Sequence, residues 1–234
     1  MRTFLFAAAA AIVFAVPATA ATRNFGITSF EKIRVEGPYR VRLATGVAPF
    51  ASASGSPAAL DRIAIDVQGN TLVVHSSNSS WGGYPGQNAG PVDISLGTHD
   101  LSSAWLSGSG MLAIDRVRAL KFDLSVQGSG GAAIAQTDVD QLNVAVAGTA
   151  SATLAGRVGK MTAVVRGISS LDAAALTTKD ATIGADGAAT VKANVTNSVT
   201  VDAMGPATIM LAGRPACTLR VNGSTSVTGC KTTQ

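Results

Sequence analysis

Seven glycines recur along the C-terminal half of this chain at a nearly constant interval. They are Gly108, Gly128, Gly148, Gly167, Gly187, Gly205 and Gly223, separated by 20, 20, 19, 20, 18 and 18 residues. The clearest copy of the unit reads Leu106-Ser107-Gly108-Ser109-Gly110. Self-similarity at this period is the signature of stacked coils, each repeat being one structural unit. No other feature restricts the fold as much.

Indexed from its glycine, each repeat sorts its side chains into two faces. Two residues before it stand Leu106, Val126, Val146, Val165, Ala185, Ala203 and Val221. Four before stand Ala104, Leu124, Val144, Ala163, Ile183, Val201 and Leu219, and four after stand Leu112, Ala132, Ala152, Leu171, Val191, Ile209 and Val227. Apolar residues at alternate positions describe strands with one face buried. The odd positions are small and polar. Ser103, Asp123, Asn143, Thr162, Thr182, Thr200 and Thr218 lie five before the glycine, and Met111, Gly131, Ser151, Ser170, Thr190, Thr208 and Ser226 lie three after. Stacked, they form outward ladders that suit strands and can pair side by side.

A strand with one apolar face needs a neighbour, and stacking coils supplies it as a continuous core. The glycine provides the corner. Each repeat therefore reads as strand, corner, strand and a third short side. The fold class expected is all-β: a single-stranded parallel β-helix of about seven or more coils with a divergent β-rich N-terminal cap. Crossover connections between parallel strands favour the right-handed form. Seven coils would make a rod of roughly 30–35 Å. A leucine-rich repeat needs a Leu-x-x-Leu-x-Leu frame and a turn asparagine ladder, which this chain lacks. Helical repeats need a 3.6-residue period, which is also missing.

The first residues read as an export signal: Met1-Arg2, an apolar run from Phe4 to Val16, and Ala18-Thr19-Ala20 before the cut. The run is too short to span a bilayer unaided, and no second run of membrane length follows. The mature chain is expected to begin at Ala21 and to form one domain over 21–234. Its location is expected to be exported: periplasmic, outer-membrane-associated or extracellular. Removing Arg2 lowers the formal net charge from +4 to +3. The basic residues are scattered without interleaved aromatics, which argues against nucleic acid. The two cysteines, Cys217 and Cys230, sit in the last coil. In an oxidising compartment an even count favours a disulfide over two unpaired thiols.

Within the domain, 30–91 reads as a divergent N-terminal β segment and 92–230 as the regular repeats. Ile33, Val35, Tyr39, Val41 and Leu43 alternate around Gly37 in the frame of the later repeats, as an early coil would. Gly69-Asn70 marks a hairpin turn, in a segment suited to cap the open end of the rod. The stretch 76–91 is Ser/Gly-rich and reads as a loop. Val92, Ile94 and Leu96 are expected to begin the array.

The Phe-Glu-Lys-Ile-Arg-Val-Glu-Gly block at 30–37, the Gly-Asn-Thr-Leu-Val-Val block at 69–74 and the Leu-Ser-Gly-Ser-Gly and Val-Gln-Gly-Ser-Gly units together resemble the putative auto-transporter adhesin, head GIN domain family. The resemblance runs from about Phe30 to Cys230. It implies a β-helical domain on exported bacterial proteins, with adhesion as the proposed role and no catalytic residues to carry over. The later repeats depart from the pattern by replacing the second glycine with Ala150, Ser169, Ala189, Ala207 and Thr225.

No residue set demands a particular chemistry. His75 and His99 share no ligand spacing with each other or with cysteine, so no metal or other cofactor is expected. His99-Asp100 beside a serine would need a Gly-x-Ser-x-Gly elbow to suggest a triad, and none is present. The Gly-Ser-Gly corners neither open a helix nor lead to Gly-Lys-Ser/Thr, so they do not read as phosphate loops. β-Helical enzymes that cut polysaccharides use clustered carboxylates. Here Asp123, Asp172, Asp186 and Asp202 fall at different offsets, with only Asp186 and Asp202 placed for adjacent coils of one face. Trp81, Tyr84 and Trp105 are the aromatics available for surface contact with a sugar or a protein. The expected function is a non-catalytic binding or structural module of the bacterial envelope or cell surface, with an envelope protein, surface protein or glycan as partner. The alternative is a polysaccharide-modifying β-helical lyase or hydrolase. A stacked acidic pair beside an aromatic-lined groove would favour it.

Overall fold

The computed structural model describes residues 21–77 and 90–231, so the leader at 1–20 and both Trp81 and Tyr84 lie outside the described residues. The N-terminal part consists of short strands: β1 (Ala21–Phe25), β2 (Lys32–Glu36), β3 (Arg40–Thr45) and β4 (Phe50–Gly55), then the helical turn α1 (Pro57–Leu60), then β5 (Ile63–Gln68), β6 (Thr71–Ser76), β7 (Asp93–Thr98) and β8 (Ser103–Gly108). Long strands that each wrap around the rod follow: β9 (Met111–Gly128), β10 (Gly131–Gly148), β11 (Ser151–Gly167), β12 (Ser170–Asp186) and β13 (Thr190–Met204). β14 (Thr208–Ala212), β15 (Ala216–Asn222) and β16 (Ser226–Thr228) close the array.

Three sides follow from the pairing of β9 with β10. The first pairs Met111–Ile114 with Gly131–Ile134, the second Arg116–Ala119 with Gln136–Val139, and the third Lys121–Gly128 with Gln141–Gly148. Along the third side, Leu106, Val126, Val146, Val165, Ala185, Ala203 and Val221 are partners in succession. That column is the one the glycine frame defines. Its members from Leu106 to Ala203 are at most 3% exposed, as are Ala104, Leu124, Val144, Ala163, Ile183 and Val201. The outward ladders are equally in register, from Ser103 through Asp123, Asn143, Thr162, Thr182 and Thr200 to Thr218.

The fold is a β-solenoid of about six turns, fewer than the seven or more expected. The reason is geometric: seven corner glycines enclose only six intervals, and each interval is one turn. A second correction concerns where the array begins. β7 does not start it but lies beneath it, parallel to β3 on one edge and antiparallel to β4 on the other. The early coil formed by β2 and β3 is an interior layer. β2 pairs with β6 on one edge and β8 on the other, and β3 with β7 and β9. The lower end is then closed by antiparallel strands, β1 on β4 and β5 on β6. The β5–β6 hairpin turns at Gly69-Asn70, between the paired residues Gln68 and Thr71. The sequence reading passed over α1, although Ser56-Pro57 carries the signal. The Ser56 side chain accepts the Ala59 amide at 3.2 Å, and proline suits the first helical turn.

Each corner rests on the one below. Gly148 has φ +95°, and a Cβ there would lie 2.5 Å from the Gly128 carbonyl oxygen. Glycine is the residue that meets both conditions. The second corner position is less demanding. Ala150, Ala189 and Ala207 bury their methyl groups. The single Ser169 hydroxyl hydrogen lies between the Arg166 carbonyl, 2.8 Å from Oγ, and the Gly148 carbonyl, 3.1 Å away, and Thr225 donates to the Gly205 carbonyl at 2.7 Å. The loss of the second glycine therefore leaves the corners intact. At the upper end no described strand covers the last coil. Leu219 is 46% and Val221 39% exposed although both occupy inward columns.

Candidate functional site

The third side carries an open lateral groove. Outward residues of this side form a column running from Arg34 to Trp105, Ser125, Ala145 and Val164 on successive strands. Beside it runs the ladder Ser103, Asp123, Asn143, Thr162. Small side chains at 125 and 145 leave a trench of about 500 Å³ between the two, with Trp105 at one end and Val164 at the other.

Trp105 is half-buried on β8. The Arg34 guanidinium carbon lies 3.8 Å from its ring centroid, and Arg34 Nε is 2.5 Å from Glu36 Oε1. A cation on the ring face holds the indole and adds about 0.5–1 kcal/mol at an exposed site. Next to it, Asn143 Nδ2 donates to Asp123 Oδ1 at 2.7 Å, and Lys121 Nζ is 3.5 Å from Asp123 Oδ2. Such a groove can bind. It offers an aromatic plane, an apolar floor and one oriented carboxylate–amide pair.

The remaining candidates from the sequence do not join it. His75 belongs to the β5–β6 hairpin, where its ring nitrogens face Asp66 Oδ2 at 3.3 Å and the Ser76 carbonyl at 2.9 Å. His99 and Asp100 line a separate recess of about 210 Å³ with Thr45, Arg116 and Arg118. Among the described residues no group of three or more His, Cys, Asp or Glu is placed to hold a metal ion. At the Gly-Ser-Gly corner the amides are engaged: Ser129 N–H donates to the Gly108 carbonyl and Gly131 N–H to that of Gly110, both at 3.0 Å. Asp172 faces Lys192 at 3.5 Å. Asp186 and Asp202 stand on adjacent strands of the third side, two residues apart in register. Asp202 lies on β13, two strands beyond the groove. Asp180, on β12, is partly exposed, and hydrogen bonds donated by Ser198 Oγ and Asn197 Nδ2, both at 2.6 Å, hold its carboxyl below the usual range. Cys217 and Cys230 are joined as a disulfide with their Cα atoms 5.7 Å apart.

The Arg34 contact was not foreseen. Trp105 and Arg34 sit in blocks far apart in the chain, and only the placement of β2 directly below β8 brings them together. The alternation around Gly37 was the available signal, since it puts Arg34 and Trp105 at the same offset from their glycines.

This is a parallel β-solenoid with hydroxyl ladders and a lateral groove. The chain belongs to the putative auto-transporter adhesin, head GIN domain family, matching it over residues 29–215. Solved structures share the fold. A putative adhesin from Bacteroides fragilis superposes with a TM-score of 0.79 at 18% identity, covering 89% of this chain and 96% of that one. A putative lipid binding protein from Parabacteroides distasonis gives 0.70 at 18% identity, covering 90% and 96%. A putative adhesin from the same organism gives 0.67 at 13% identity, covering 90% and 97%. No curated protein matches the chain. Among the described residues no helix is long and apolar enough to cross a membrane.

Proposed function

We propose that this protein is an exported, non-catalytic binding module of the bacterial envelope or cell surface, and that it makes contact through its third side. The groove at Trp105 is the observation that carries the reading. Here, among the described residues, a held aromatic ring, an apolar floor and an oriented polar pair converge. The signal-like residues 1–20, a single domain from Ala21 and the adhesin names of its structural neighbours support export and surface contact. The position of Asp186 and Asp202, away from the aromatic end, supports binding over polysaccharide cleavage.

The test is binding of the exported protein to bacterial cells, comparing the parent with Trp105→Ala and with Thr200→Ala on the same side but outside the groove. Cell binding that falls with Trp105→Ala and not with Thr200→Ala is the expected result. Equal binding by all three removes the groove from the function. N-terminal sequencing of the exported protein should begin at Ala21, and a start at Met1 would contradict export by cleavage.

A further inference from the structure

We infer that the groove beside Trp105 binds a neutral saccharide chain, an inference that rests on the third side being the face of contact. The indole is held from one side only. Arg34 covers one ring face at 3.8 Å, while the next residues in register, Ser125 and Ala145, are too small to cover the other. A flat, rigid aromatic face presented beside polar groups is what the C–H face of a sugar ring packs on, because the sugar too has an apolar face and polar edges.

The polar pair fits the same ligand. Asn143 spends one amide hydrogen on Asp123 at 2.7 Å. That leaves its second hydrogen and its oxygen, and the remaining lone pairs of the Asp123 carboxylate, to meet groups that both donate and accept. Vicinal hydroxyls are such groups. From Trp105 to Val164 the groove crosses four strands, about 14 Å, which suits a chain more than a single ring.

Other occupants fit less well. A peptide strand adding to a sheet needs unpaired backbone groups, whereas β8 to β11 are paired on both edges here. An acyl chain would strip water from the Asp123–Asn143 pair and return no hydrogen bond. An acidic sugar or a phosphate would face the Asp123 carboxylate, and the cations at hand are already engaged, Arg34 by Glu36 at 2.5 Å and Lys121 by Asp123 itself at 3.5 Å.

The test uses the exported protein on a printed array of neutral and acidic oligosaccharides. The best-retained one is then titrated against tryptophan fluorescence in a Trp81→Phe background, where Trp105 is the remaining tryptophan of 2. Neutral chains should be retained and the emission should change saturably. In retention on the array, which needs no tryptophan, Trp105→Ala and Asn143→Ala should each weaken binding by about tenfold or more, and Thr200→Ala should leave it unchanged. Should Trp105→Ala lower the melting temperature, Ser125→Gln, which fills the groove from the next strand, replaces it with the same expectation. A blank array, a preference for acidic chains, or retention undiminished by these variants overturns the saccharide site. Cell binding that Trp105→Ala abolishes while the array stays blank overturns the saccharide and leaves the third-side contact standing. Cell binding that Trp105→Ala does not touch removes the third side as well.

Discussion

Val144 and Ala145 are consecutive in the chain and occupy opposite environments, one 2% exposed in the core and the other on the outer surface. Val144→Asp buries an unpaired charge and should destabilise the domain by more than about 3 kcal/mol, while Ala145→Asp should cost about 0.5 kcal/mol or less. Thermal melts of the two variants check this, and equal costs would mean the inward frame is wrong. The interior also holds hydroxyls with no partner, Thr137 Oγ1 and Thr178 Oγ1. Thr178 is 0% exposed, so Thr178→Val keeps the shape and removes an unsatisfied group. It should raise stability by about 1 kcal/mol, and a lower denaturant midpoint would contradict that. Inward and outward residues were legible along the first and third sides, where strand alternation holds. The unpaired threonines were not, since Thr137 and Thr178 stand at odd distances from their corner glycines, where the pattern expects outward polar residues, yet both are buried.

At the level of elements, corners and ends behave differently. Corners were legible as glycine positions, and the columns of the third side carry the register from β8 to β15, whereas the turn from the first to the second side slips between β10 and β13. The ends were not legible to the same degree. Antiparallel pairing at the lower end depends on where β1, β4 and β5 return, which no local period encodes. The trench likewise depends on the run of small residues above Trp105 and on a partner contributed by β2. At the upper end β15 and β16 form a final layer with its inward face uncovered, stapled by Cys217 and Cys230 at a separation of 13 residues. Closing a loop of that size contributes roughly 3 kcal/mol in the chain-entropy model. Free-thiol labelling of the native, unreduced protein should find neither cysteine. Reduction should speed amide exchange in 216–230 and leave β9 to β12 protected, as expected of a stack in which each layer leans on its neighbours. Labelling of both thiols would rule the bridge out. The Cys217→Ala, Cys230→Ala double variant should still fold.

For the molecule as a whole, that nearest-neighbour construction makes a layer removable. Gly131 pairs with Ser151, and Gly131 also pairs with Met111. Deleting 131–150 therefore joins Gly130 to Ser151 and sets β11 on β9 in the register β10 had. The shortened protein should fold cooperatively into a rod about 4.8 Å shorter, measurable by small-angle scattering and circular dichroism. It should also lose the Asn143 contact and with it the groove. An unfolded product would show the turns to be less interchangeable than their register implies.

The lower third obeys another rule, because the β2–β3 layer is threaded between strands that come after it in the chain. A ribosome delivers residues in order, so this layer emerges with both edges bare and waits for 71–76 and 93–114 to arrive on either side. Until about residue 114 has appeared, there is no finished surface on which the remaining turns can grow. After that point growth needs only the layer just laid down. The chain thus has a direction of assembly and a direction of loss: turns can be shed from the C-terminal end one at a time, whereas clipping the N-terminal segment withdraws a floor from inside the building.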